Sequence, residues 1–163
     1  MNKRLVAAVA ATAVVLTSAG AGAAAFALTP HDAESHPEIS AFSNGQLTRV
    51  GPYFYCNVVN LDECDTPQTV GVLRVTGREP VQLSVPSAIG AAPWRLILAY
   101  EDPDNDSVRT FPPGTRLAVT IPTVDPTRGR LTGVAVQLPT LIQVDGQDRE
   151  LPHAEWSVRT VWN

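Results

Sequence analysis

Beyond residue 37 the chain repeats one pattern: apolar and polar residues alternate for a handful of positions, a turn signal intervenes, and the alternation resumes. In PVQLSVP, Val81, Leu83 and Val85 fall on one side and Gln82 and Ser84 on the other, as in a strand with one face on a core. WRLILAYE places Trp94, Leu96, Leu98 and Tyr100 on one face. Ile97 and Ala99 are apolar too, which predicts a central strand covered on both sides. RLAVTIP aligns Leu117, Val119 and Ile121; LTGVAVQLP sets Val134, Val136 and Leu138 against Gly133 and Ala135; AEWSVRTVW gathers Trp156, Val158, Thr160 and Trp162. EISAFSNGQLTRV reads as a hairpin, because Asn44-Gly45 supplies the positive φ angles of a two-residue turn, and Asp145-Gly146 is a second signal of that kind. Further strands are predicted at Tyr53–Cys56, Thr69–Val75 and SVRTF. Ser87–Ala92 makes at most one helical turn before Pro93.

About eight short strands separated by Pro, Gly and Asp turns predict an all-β protein, an antiparallel immunoglobulin-like β-sandwich, with a small antiparallel β-barrel as the alternative. Trp94, at the start of a central strand, matches the strand-C tryptophan of that fold. The two tryptophans of the last strand, Trp156 and Trp162, read as core or edge residues, or else as an aromatic platform for a ligand.

The first 27 residues have a different character. Lys3 and Arg4 precede an uncharged Ala/Val-rich run, Leu5 to Leu28, that closes on the small residues of Ala25-Phe26-Ala27. That is the layout of an export signal, and it predicts a mature chain from Leu28. The competing reading is an uncleaved membrane tether through residues 5–28, since that run exceeds the roughly 20 residues a spanning helix needs. Residues 28–37 are polar and bracketed by prolines, a linker. Residues 38–163 then form one domain.

Removing the signal changes the charge. Two of the 12 basic residues, Lys3 and Arg4, fall within it and all 16 acidic ones lie beyond, leaving 10 against 16 and a net charge of −6. Nucleic acid is not an expected partner. Lys3 is also the only lysine. A mature chain without lysine has no Schiff-base nucleophile, no Ser-x-x-Lys pair and no phosphate-loop lysine. There is no Gly-x-Ser-x-Gly elbow, and a Ser-His-Asp triad has to use His153, in the loop-like LPHAEW, unless His31 or His36 folds back from the linker.

Cys56 and Cys64 are the only cysteines, with seven residues between them. A redox pair wants Cys-x-x-Cys, and a zinc site wants four N or S ligands at short paired spacings. An exported chain meets an oxidising compartment, and Asn60 and Asp62 are turn formers, so the two cysteines read as a local structural disulfide. In EDPDND, Asp102, Asp104 and Asp106 alternate like the start of a calcium loop, but Ser107 and Pro113 stand where its glycine and bidentate glutamate belong. They are weak calcium candidates in what is otherwise a solvated turn. Arg128 and Arg130 flank Gly129 in a loop, where they serve solubility or engage acidic polymers. No cofactor and no catalytic residue is assigned.

GPYFYCNVVNLDEC, PVQLSVPSAIGAAPWRLILAYED, TVDPTRGRLTGVAVQLP and AEWSVRT together resemble an actinobacterial envelope family, domain of unknown function family 2771. The likeness runs from about His36 to Thr160. It implies a small exported or membrane-tethered protein, in keeping with the arginine-only composition, and supplies no site residue. The expected role is a non-catalytic envelope or secreted module, on the outer face of the cytoplasmic membrane or beyond it, that binds an envelope protein or polymer through its loops or an edge strand. The alternatives are a small-ligand carrier or enzyme with a site between loops near Trp94, Glu101 and His153, and a calcium-dependent adhesion-like domain.

Overall fold

The computed structural model describes residues 36–163. The signal or tether at 5–28 lies outside the described residues. The elements are β1 (Ile39–Ser43), β2 (Gln46–Val50), β3 (Phe54–Cys56), β4 (Cys64–Asp65), β5 (Val70–Val75), β6 (Val81–Ser84), α1 (Ser87–Gly90), β7 (Trp94–Tyr100), β8 (Ser107–Phe111), β9 (Ala118–Ile121), β10 (Val124–Asp125), β11 (Gly129–Val144) and β12 (Gln147–Trp162).

They form two sheets. One has the order β2-β1-β6-β9; the other runs β4-β3-β12-β11-β7-β8, with β5 added beside β12 and β10 beside β11. Each sheet keeps free edges, so the fold is a sandwich and not a closed barrel. Apart from β5, which runs parallel to β12, every pairing is antiparallel. β1, β6 and β9 hold the places of strands A, B and E of the immunoglobulin arrangement, and β7, β11 and β12 those of C, F and G. The segment from β2 to β5 lies between A and B.

Alternation decides which side chains enter the core. Ile39, Val81, Leu83 and Ile121 of the first sheet meet Leu73, Trp94, Leu96, Leu98, Val136, Trp156 and Val158 of the second, all buried. Trp94 stacks on Phe111 with ring centroids 4.3 Å apart and donates its indole N–H to the Arg116 carbonyl at 3.2 Å. The Asn44-Gly45 hairpin forms as expected, with φ of 49° and 71° and Ser43 opposite Gln46.

Three expectations change. Ile97 and Ala99 are only half-buried, because among the described residues no layer covers the outer face of the second sheet, where Val70, Val72 and Val108 are exposed as well. Leu117 lies outside β9 and is exposed. His153 is not a loop residue but part of β12, only 8% exposed. The reason for the last is that the β11–β12 ladder continues through Pro139 and Pro152, paired with each other beside a register shift at Leu138/Pro139 where the missing N–H groups are tolerated. Beyond that point β7 no longer accompanies β11, since their pairing ends at Arg95 opposite Gln137. The two strands therefore leave the sandwich as a ribbon roughly 20 Å long.

The sheets come closest where β5 meets β2. The Thr48 hydroxyl donates to the Val72 carbonyl across the gap at 2.9 Å, and a Cβ on Gly71 would collide with the stiff side chain of Val50 and reach 3.3 Å from Val158. Gly71→Ala is therefore expected to destabilise the fold by about 1–3 kcal/mol. Urea unfolding that shows no shift in midpoint would mean the sheets separate freely at this point.

Candidate functional site

β3 and β4 make a two-stranded corner in which Cys56 stands directly opposite Cys64, and the two are joined by a disulfide. The seven residues inside it are held by their own polar groups. The Asn57 N–H donates to the Glu63 carbonyl at 2.9 Å, extending the ladder by one bond, and the N–H groups of Asn60 and Glu63 donate to the carbonyls of Asn57 and Asn60. Asn57 Oδ1 accepts from the Val59 N–H at 2.9 Å, and Asn60 Oδ1 from the Asp62 N–H at 3.3 Å, the local bonds that asparagine makes in turns. The Glu63 carboxylate receives both asparagine amides, at 3.3 and 2.9 Å.

With these polar groups turned inward, the tip is apolar. Val58 is 56% exposed and Val59 93%. Asp62 and Glu63 follow the tip inside the loop, Asp65 lies below the disulfide beside His36, and no arginine or lysine occurs between Arg49 and Arg74. The loop is thus a rigid apolar tip on an acidic shoulder.

Beneath it lies an aromatic cluster. Tyr55 stacks on His36, centroids 4.3 Å apart, and meets His153 and Trp156 edge-on at 6.1 Å. His36 Nε2 lies 2.7 Å from Asp65 Oδ2, and the Trp156 indole N–H donates to the Pro37 carbonyl at 2.7 Å. His36 and Pro37, two residues of the stretch read as linker, are therefore clamped onto the corner. His153 is sealed under Tyr55, and its Nδ1 has no hydrogen-bond partner among the described residues. Burial pushes its pKa below the ordinary 6.5, opposed by the backbone of Cys56.

The other sequence candidates do not assemble. Trp94 begins β7 and Glu101 follows its last residue, while His153 is on β12, so the three do not line one site. The aspartates are used by the turn itself: Asp102 Oδ1 accepts from the Asp104 N–H at 3.1 Å and Asp106 Oδ1 from the Tyr100 N–H at 2.8 Å. Among the described residues no group of three or more His, Cys, Asp or Glu is placed to hold a metal ion. Arg128 lies 3.7 Å from Asp125, whose carboxyl is held below its ordinary pKa chiefly by the hydrogen bond from the Thr127 hydroxyl. Arg130 covers the Trp162 ring at 5.0 Å. Trp162 donates its indole N–H to the Leu131 carbonyl at 3.0 Å, so neither late tryptophan is a free platform. The valine tip was not singled out in the sequence. Its signal is Val58-Val59 between two turn-forming asparagines inside the cysteine pair.

Fold and loop together define an immunoglobulin-type sandwich with a stapled, outward-facing apolar loop. The chain belongs to the family described as Protein of unknown function (DUF2771), whose model matches residues 32–161. It is 59% identical over 162 residues to uncharacterized proteins of Mycobacterium bovis and Mycobacterium tuberculosis, covering 98% of this chain and 99% of theirs. No solved structure matches it.

Two expectations follow. Cys56→Ser/Cys64→Ser should lose about 2.5 kcal/mol of stability on the chain-entropy account of so short a loop, and amides 57–63 should exchange faster; unchanged exchange would assign the loop's order to its hydrogen bonds alone. For His153, the unfolded chain takes up a proton near 6.5 and the folded one only at lower pH. Its contribution is therefore complete above 6.5 and is lost as the pH falls below it. The melting temperature should drop on acidification from about 7.5 to about 5.5, and less in His153→Gln. An equal drop in both would move the effect elsewhere.

Proposed function

We propose that this chain is a non-catalytic, extracytoplasmic binding module that docks a protein of the cell envelope through the tip of the stapled loop. The observation that carries this reading is Val59, 93% exposed at the end of a loop fixed by a disulfide and by the side chains of Asn57, Asn60 and Glu63. An apolar tip already held in one conformation loses little entropy on binding, which is what a docking loop requires. The acidic shoulder selects for a pocket with a basic rim and against an anionic lipid surface, which would repel Asp62, Glu63 and Asp65.

Export is supported by the Lys-Arg start with its apolar run and by the disulfide, a bond that persists in oxidising compartments. On this reading residues 5–28 act as a cleaved signal or as a retained tether, and either places the domain outside the cytoplasm.

A photo-crosslinking side chain at Val59, in the chain made by its own host, tests the docking. An adduct with one identifiable envelope protein is expected, and it should weaken at least tenfold when Val58→Ser and Asp62→Lys are added together. Labelling from Val59 no stronger than from Asp104, in the exposed turn at the opposite end of the sandwich, would sink the proposal.

A further inference from the structure

The ribbon formed by the outer halves of β11 and β12 has two open edges, and they differ. From Pro139 outward β11 pairs only with β12, since β7 begins at Trp94 with Pro93 before it. The β12 edge, Gln147-Asp148-Arg149-Glu150-Leu151-Pro152, and the β11 edge, Pro139-Thr140-Leu141-Ile142-Gln143-Val144, each have one proline at the base, where Pro139 faces Pro152; beyond it β12 carries three charges and β11 none. Folded proteins block open edges with charges because an unblocked one is a template for another strand. Here one edge is blocked and the other is left open.

We infer that two copies of this chain pair edge to edge, antiparallel, through residues 140–144 of β11, with the two-fold axis at Ile142. The two edges behave oppositely toward a second copy. Self-pairing of β12 about Arg149 sets Arg149 against Arg149 and Asp148 against Glu150, which is also ion-paired with Arg95 of β7, so every pair of charges that meets is of like sign and destabilising when directly opposite. Self-pairing of β11 about Ile142 sets Ile142 against Ile142, Leu141 against Gln143 and Thr140 against Val144, and no charges meet. The β12 strands then become the outermost of four, three strand spacings or roughly 14 Å apart, beyond the screening length of about 8 Å. Their acidic residues are thus removed from one another.

The geometry leaves room for the second copy. Directly beyond the start of β7 is an open notch of about 490 Å³ lined by Pro93, Pro139, Thr140, Leu141 and Glu150. A strand antiparallel to β11 continues the line of β7, so the Asp145-Gly146 turn of the second copy comes to this notch. Leu141, 70% exposed on the lone ribbon, gains a neighbouring strand. A four-stranded ribbon is also a sounder structure than two strands standing alone. This pairing uses a different surface from the stapled loop and does not depend on what that loop binds.

Crosslinking at the axis tests it in the full chain purified from its own host. Directly opposed residues of an antiparallel pair lie about 4.5–5.5 Å apart, within disulfide range. Ile142→Cys should therefore yield a covalent dimer in air, on a non-reducing gel, at least ten times faster than Arg149→Cys on the blocked edge. Sedimentation velocity of the unaltered protein should show a concentration-dependent dimer, lost in Leu141→Lys with the melting temperature unchanged. An unaltered protein that stays monomeric over the micromolar range overturns the inference whatever the variants do. So does Ile142→Cys that crosslinks no faster than Arg149→Cys, or that joins a different envelope protein, which would assign the edge to a foreign strand.

Discussion

The ladder between β11 and β12 is the member from which the rest of this structure hangs. Its inner face carries Val134, Val136 and Leu138 opposite Val158, Trp156 and Ala154, all buried. Its flanks hold β7 on one side and β3 and β5 on the other. Its far end is tied at the Leu131 carbonyl, which accepts from the Thr160 hydroxyl at 2.6 Å and from the Trp162 indole. A slip of one residue would turn Trp156 out and Ser157 in, so burial fixes the register without help from a turn. Once fixed, that register dictates where Cys56 stands, where His153 is sealed, and how far the ribbon projects.

Much of this was readable because period-two alternation reports burial directly. Val81, Leu83 and Val85 went inward as the pattern required, and so did Trp94, Leu96, Leu98 and Tyr100. Asn44-Gly45 specified its hairpin because only residues that tolerate positive φ make a two-residue turn. The disulfide was legible from spacing and turn formers together.

What alternation does not report is which strand lies beside which. Nothing in VGVLRV announces that β5 runs parallel to β12, since parallel pairing is a property of two distant segments. Pro139 and Pro152 read as strand ends when each is considered alone; they continue a ladder because they face each other beside a bulge. Ile97 and Ala99 were read as covered on both sides, but a strand's sequence records that a face is apolar, not whether its own chain supplies the cover. The Trp94–Glu101–His153 site failed on simpler grounds. A residue that begins a seven-residue strand and one that follows its end are roughly 20 Å apart, a distance available from the strand assignment itself.

The stapled loop and the ribbon belong to one end of the sandwich. β3 pairs β12 at Ala154 and Glu155, just below Pro152, and runs antiparallel to it, so the chain passes from Cys56 into the loop alongside the base of the ribbon. α1 joins them there, because it leads directly into the start of β7, and its Gly90 carbonyl accepts from the Gly114 N–H at 2.7 Å. The opposite end is closed by the Asp102–Asp106 turn, where the Asn105 amide reaches the Arg128 carbonyl at 3.5 Å and the Glu101 N–H donates to the Arg130 carbonyl. At that end the turn's carboxylates accept from its own backbone, while the buried Ser107 hydroxyl has no partner among the described residues. The ribbon end keeps an exposed valine tip and an unblocked strand edge. In a domain this small, exposed apolar surface and open edges invite aggregation unless something occupies them. The disulfide and the asparagine bonds hold the tip in one shape, and the charges of β12 guard the edge beside the open one. A tip held in this way keeps its apolar side chains in one arrangement, which is what the proposed docking requires.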